Sequence, residues 1–147
     1  MSNINHLNHS TWECKYHIVF TPKYRKKVFY GHLRKELKGV FHRLAQQKEC
    51  IIEEGHLVSD HVHMLITIPP KHSISSIVGF LKGKSSIWIA QNIANKTRNF
   101  VGHKFWARGY CVSTVGINEE VVRKYVQNQE SEDKRLDSMQ LNLFDRS

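Results

Sequence analysis

Acidic residues are scarce in this chain: 13 Asp and Glu stand against 22 Lys and Arg in 147 residues, a formal charge of +9. That excess is more than solubility requires and suggests a polyanionic partner, although an ordinary basic surface would give the same count. Cysteine is scarcer still. Cys14, Cys50 and Cys111 form no Cys-x-x-Cys pair and sit in apolar runs, which excludes a disulfide framework and favours buried, reduced thiols. No apolar stretch approaches the ~20 residues of a membrane span. Met1 to Asn8 also lacks a cationic region followed by an apolar one. The expectation is a soluble, cytoplasmic protein with no membrane partner. Repeats and low-complexity tracts are absent, and 147 residues with 40% hydrophobic content suit one domain with one core, about 10–131, and a short tail, 132–147.

Apolar residues alternate from Trp12 to Phe20, which predicts a half-buried strand with Trp12, Cys14, Tyr16, Ile18 and Phe20 on one face. Leu33, Leu37, Val40, Phe41 and Leu44 recur at helical spacing. Ile51 to Val58 and His61 to about Ile68 read as two further strands, the second ended by Pro69-Pro70. A second helix, marked by Ile74, Ile77, Val78, Leu81 and Trp88, follows Ser73 as N-cap. Tyr110 to Val115 is a fourth strand candidate. Asn118 caps a third helix over about Glu119 to Glu130, leaving a polar tail whose Leu141, Leu143 and Phe144 either dock or are disordered. The order is α+β: a ferredoxin-like, RRM-like split βαββαβ antiparallel sheet with helices on one face and an extra C-terminal helix.

Within the third strand, Val62, Met64, Ile66 and Ile68 take the helix-covered face. His61 and His63 then project together from the open face, where two aligned imidazoles can hold one metal ion. Two exposed polar residues are the plain alternative. Tyr125 and Gln129 lie four apart and share a helical face. A neutral amide oxygen is a hard ligand of the kind Mg²⁺ or Mn²⁺ accepts, and a tyrosine can attack a phosphate so polarised. The pairing would couple the arrival of the nucleophile to completion of the metal shell. Tyr125 also belongs to an apolar stripe with Val122 and Val126, so packing alone would account for it. His17 is a candidate for supporting the metal site or touching DNA, while the other histidines, His56 among them, show no second pairing at ligand spacing and most of them read as surface residues.

Cations gather with aromatics at Lys23, Arg25, Lys26 and Lys27, at Lys82 and Lys84, and around Arg98, Lys104 and Arg108, beside Tyr24, Phe105, Trp106 and Tyr110. That mixture suits single-stranded nucleic acid, and Arg123 would lend positive charge beside Tyr125. A solvated charged face is the bland reading of each cluster.

Four ordered blocks carry a resemblance: Tyr16-His17-Ile18-Val19-Phe20-Thr21-Pro22-Lys23-Tyr24-Arg25, Asp60-His61-Val62-His63, Gly109-Tyr110-Cys111-Val112-Ser113-Thr114-Val115-Gly116, and Tyr125-Val126-x-Asn128-Gln129. Together they resemble the HUH single-tyrosine transposases of the simplest insertion sequences, a superfamily that includes REP-associated tyrosine transposases. The resemblance implies that His61, His63 and Gln129 bind Mg²⁺ or Mn²⁺ and that Tyr125 forms a 5′-phosphotyrosine bond to DNA. It implies single-stranded DNA with subterminal hairpins as substrate, and a homodimer in which the tyrosine helix of one subunit can serve the histidines of the other. Ser59 stands where the family often has proline.

Other classes remain open at this stage: a domesticated repeat-binding endonuclease, a relaxase or replication initiator, a metallohydrolase in which water attacks, and a non-catalytic RRM-like module. The last lacks its Lys/Arg-Gly-aromatic signature here.

Overall fold

The computed structural model describes residues 5–7, 10–12, 14–23, 31–58, 60–92, 105–116 and 118–144. Strand β1 (Asn5–Leu7) pairs antiparallel with β2 (Ser10–Trp12) as a separate two-stranded sheet. The long alternating run therefore does not begin one strand at Trp12. The central strand β3 starts at Lys15 and ends at Phe20, after a break at Cys14.

Helix α1 spans Gly31–Gln47, followed by β4 (Ile51–Val58), β5 (His61–Thr67), α2 (Ile74–Asn92), β6 (Cys111–Ser113) and α3 (Glu119–Phe144). The four long-range strands form one sheet in the order β4-β5-β3-β6, with every neighbouring pair antiparallel. That is the expected split βαββαβ arrangement. Its fourth strand is shorter than Tyr110 to Val115.

Periodicity explains why one sheet face holds both crossover helices. Leu37, Val40, Phe41, Leu44 and Ala45 from α1 and Ile77, Val78, Leu81 and Ile89 from α2 are buried. They join Ile18, Phe20, Val62, Met64, Ile66 and Ile68 in one core. Phe20 lies at its centre, edge-on to Phe41 at 5.9 Å and to Trp106 at 4.9 Å. The indole Nε1 of Trp106 donates to the buried Ser85 hydroxyl at 2.9 Å, so the aromatic cluster contains no stranded donor.

Both expected caps form. The Ser76 N–H donates to Ser73 Oγ at 3.1 Å, and the Val121 N–H to Asn118 Oδ1 at 2.9 Å. Each satisfies one of the donors a helix start leaves unpaired.

The third helix runs well beyond the expected end at Glu130 and continues to Phe144. Its second half is polar but built of good helix formers, with Lys134 paired to Glu130 and Arg135 to Glu132 on the exposed side. Asp133 is turned inward and only 2% exposed. The backbone of Leu141, Leu143 and Phe144 belongs to this helix.

The second sheet face is not open, as the sequence suggested. Val122 and Val126 of α3 bury themselves against Val19 of β3, with Tyr125 and Cys111 packed around them. Val19 follows the core residue Ile18, so its side chain leaves the sheet on the opposite side. α3 supplies its cover.

Candidate active site

The register of the sheet assembles the site. Val19 pairs with His63 and His17 with Leu65, so β3 and β5 place His17, Val19, His61 and His63 on one face. The sequence anticipated the two β5 histidines there.

His56 arrives by a route the sequence did not reveal. Between Ile52, paired with Ile66, and Glu54, paired with Leu65, β4 carries a bulge that absorbs one residue. An extra residue shifts the alternation by one, so Leu57 turns into the core and His56 comes opposite His63 on the histidine face. The two rings stand edge to face with centroids 6.4 Å apart. Strict alternation from Ile52 would have put His56 inside.

His17 Nδ1 lies 3.2 Å from His63 Nε2. His63 is held below the usual histidine pKa, first by burial and then by the neighbouring His17, His56 and His61, with Glu54 opposing. That environment favours neutral imidazole, the form that binds a metal. Asp60 Oδ1 sits 2.9 Å from His61 Nδ1. A carboxylate there fixes the Nδ1–H tautomer and leaves Nε2 with its lone pair, the usual support behind a metal-binding histidine. In the sequence Asp60 stands in the Asp60-His61-Val62-His63 block without a role of its own. Among the described residues, no three His, Cys, Asp or Glu side chains stand in a ready metal-binding group. A site here would use the histidines with a donor of another kind, and the amide of Gln129 is one.

Tyr125 and Gln129 sit one turn apart on α3, as their spacing requires. The Tyr125 hydroxyl is buried and finds no hydrogen-bond partner among the described residues. Burial, reinforced by Cys111 and Asp133, pushes its pKa up. Held this way the phenol is poorly suited to attack. Gln129 Nε2 donates to Asp133 Oδ1 at 3.4 Å. Burial raises the Asp133 pKa, and the Gln129 hydrogen bond and the charges of Lys23 and Lys82 oppose that rise.

The cations suspected of meeting DNA divide into distinct environments. Lys23 pairs with Asp137 of α3 at 3.2 Å. Lys82 turns inward, donating to the carbonyls of Ala107 at 2.7 Å and Gly109 at 2.6 Å. It thereby tethers the segment before β6, where Gly109 adopts a left-handed φ of 81°. Lys84, Arg108 and Arg123 are exposed. Arg25, Lys26 and Arg98 lie outside the described residues.

The sequence profile described as "Transposase IS200 like" matches residues 10–129, which include both the β5 histidines and the Tyr125–Gln129 turn. The chain belongs to the IS200-like transposases.

Its relatives span nearly the whole chain. It is 42% identical over 134 residues to the transposase for insertion sequence element IS200 of Salmonella typhimurium, covering 91% of this chain and 88% of that one. It is 28% identical to the ISDra2 transposase TnpA of Deinococcus radiodurans, covering 80% and 85%. A crystal structure described as a candidate transposase from Deinococcus radiodurans superposes with a TM-score of 0.75 at 26% identity, over 85% of this chain and 97% of that chain. The REP-associated tyrosine transposase bound to a REP hairpin matches with a TM-score of 0.53 at 12% identity, over 86% and 68%, a likeness of fold. Among the described residues of this IS200-like transposase, no helix is long and apolar enough to cross a membrane.

Proposed function

We propose that this transposase cleaves and rejoins single-stranded DNA at the ends of its insertion sequence through a 5′-phosphotyrosine intermediate on Tyr125. One observation carries the reading: Val19 is paired with His63 in the sheet and packed against the Tyr125 segment of α3, so nucleophile and histidines share one face. In the proposed step the phenol oxygen of Tyr125, having lost its proton, attacks the scissile phosphorus. The bond from phosphorus to the 3′ oxygen breaks, and that oxygen leaves as a hydroxyl after taking a proton. Attack by a second 3′ hydroxyl then restores the tyrosine and joins the strands, with no need for ATP.

His61, His63 and Gln129 would hold Mg²⁺ or Mn²⁺, which supplies polarisation of the scissile phosphate when bound. Asp60 orients His61 for that role. Because the docked α3 keeps the Tyr125 hydroxyl buried and Gln129 turned to Asp133, the chain described here represents a resting arrangement. Strand transfer requires α3 to move, either over its own sheet or onto that of a second subunit in a homodimer. DNA with subterminal hairpins is the proposed substrate, and Lys84, Arg108 and Arg123 are the exposed candidates for its phosphates.

Incubation with single-stranded DNA from both sides of the gene, with Mg²⁺ or Mn²⁺, tests the reading. A metal-dependent covalent protein–DNA band that disappears in Tyr125→Phe is expected. Cleavage without an adduct would instead support attack by water. Hairpin binding with no cleavage would support a non-catalytic relative.

A further inference from the structure

The edge of the sheet at β4 carries a charged groove that the chemistry above does not use. Arg34, Lys35 and Lys38 of α1 face residues 55–58 of β4 across an open cavity of about 730 Å³. The three cations stand three and four residues apart and share one side of the helix. All are exposed, and none is ion-paired among the described residues. Glu36, the one acidic residue of α1, turns instead to His32 Nε2 at 2.9 Å. On β4, Glu53 accepts from the Thr67 hydroxyl at 3.0 Å, and Glu54 stands 3.9 Å from His56 Nε2.

The place of these cations on the helix works against its stability. Like charges one turn apart repel, and the start of a helix already carries the positive end of its dipole. No acidic residue stands in the first turn of α1 to offset that field. Cations gathered where they destabilise their own helix match a polyanion instead. The groove also leads to the chemistry. His56 lines it, pairs with His63 across the ladder and stands 6.4 Å from that ring, so the groove passes round the sheet edge onto the histidine face. Gly55 leaves the backbone bare along this path, and the stem of Lys38 lies over it: a Cβ there would come 3.9 Å from Lys38 Cε. Val58, 44% exposed, adds an apolar wall.

Resting on the reading of single-stranded DNA as substrate, we infer that this groove binds the phosphates of the unpaired strand leading to the scissile position, with Arg34 and Lys38 on successive phosphates. Four helical residues rise about 6 Å, comparable to the separation of neighbouring phosphates along an extended strand. An unpaired strand suits the groove better than a duplex does. Its bases can lie on Val58 while its backbone follows the cations, whereas a duplex keeps its bases stacked inside.

Oligothymidylate, which forms no duplex, is the probe. Its binding to the full chain is followed by fluorescence anisotropy, without metal, over a range of salt. Arg34→Gln/Lys38→Gln is expected to weaken binding at least tenfold at about 0.1 M salt and to lower the slope of log affinity against log salt by about 1.4, two phosphate contacts at about 0.7 each. Arg43→Gln/Lys71→Gln removes the same charge from exposed positions outside the groove and is expected to bind as the unaltered chain does. Equal losses from the two double variants overturn the inference, because net charge would then account for both. A loss confined to a blunt hairpin duplex, with oligothymidylate unaffected, overturns it as well.

Lysine reactivity in the unaltered chain avoids dependence on folding of a variant. Reductive methylation with and without oligothymidylate is expected to show Lys35 and Lys38 protected in the complex and Lys71 unchanged. Equal modification of Lys35 and Lys38 in both states overturns the inference. The catalytic reading fails separately. If Arg34→Gln/Lys38→Gln keeps its oligothymidylate affinity while the Tyr125 adduct still forms, the groove is overturned and strand transfer stands. If that variant loses affinity but the unaltered chain forms no adduct, the groove is supported and strand transfer is overturned.

Discussion

Gln129 donates its side-chain amide to Asp133, one turn further along the same helix. The residue expected to complete a metal site is thus occupied inside α3, and the Tyr125 hydroxyl one turn before it is buried with no partner among the described residues. Both features describe a helix parked on the sheet. Asp133→Ala should release Gln129 and remove part of the docking contact. Single-turnover adduct formation on single-stranded DNA is expected to accelerate, on the order of tenfold if about 1.4 kcal/mol of docking is lost. A slower or unchanged rate would mean that this contact does not restrain the helix.

Tyr125→Phe separates chemistry from stability. Removing a buried hydroxyl that has no partner among the described residues relieves a desolvation penalty, so thermal unfolding is expected at the same temperature or higher, by up to about 1 kcal/mol in stability. The adduct should vanish nonetheless. Clear destabilisation of the variant would show that the hydroxyl is bonded in solution.

Lys82 gives a prediction with a definite sign. Burial lowers its pKa from 10.5 to about 8, and the attraction of Asp133 only partly opposes this. The native chain therefore binds fewer protons at this site than the unfolded chain between those two values. Stability contributed by Lys82 rises as pH rises through that window, opposite to the behaviour of a lysine gaining a partner. Lys82→Met should flatten the rise in denaturant titrations from pH 8 to 10. It should also cost about 1–3 kcal/mol at high pH, because the Ala107 and Gly109 carbonyls lose their donor.

Asp60 should matter to metal binding rather than to the fold. Its carboxylate touches His61 at the nitrogen facing away from the proposed ion. Asp60→Asn is expected to weaken Mn²⁺ affinity roughly 10- to 100-fold, measured calorimetrically, with little change in unfolding. Unchanged affinity would remove Asp60 from the account.

The sheet and its crossover helices were legible because their apolar residues follow the periods of 2 and 3.6 that packing imposes, from Ile18 and Phe20 to Leu37 through Leu44. The caps at Ser73 and Asn118 were legible for the same local reason. His61 and His63 could be placed on one face because β5 has no bulge. His56 could not, since the bulge in β4 leaves no mark in composition and reverses which residues face the core. The second half of α3 was missed because a helix lying on a surface needs little apolar content. Extending its 3.6 period beyond Glu130 would have set Asp133 on the face of Tyr125 and Gln129. Lys23 and Lys82 looked like DNA contacts because a sequence reports the charge of a lysine but not where its ammonium points.

The most direct test is mass spectrometry of the protein after reaction with single-stranded DNA from its element's ends. The account predicts a nucleotide attached through a 5′ phosphate to the peptide bearing Tyr125, and to no other residue. Attachment elsewhere, or cleaved DNA with an unmodified Tyr125 under conditions that trap the intermediate, would contradict it.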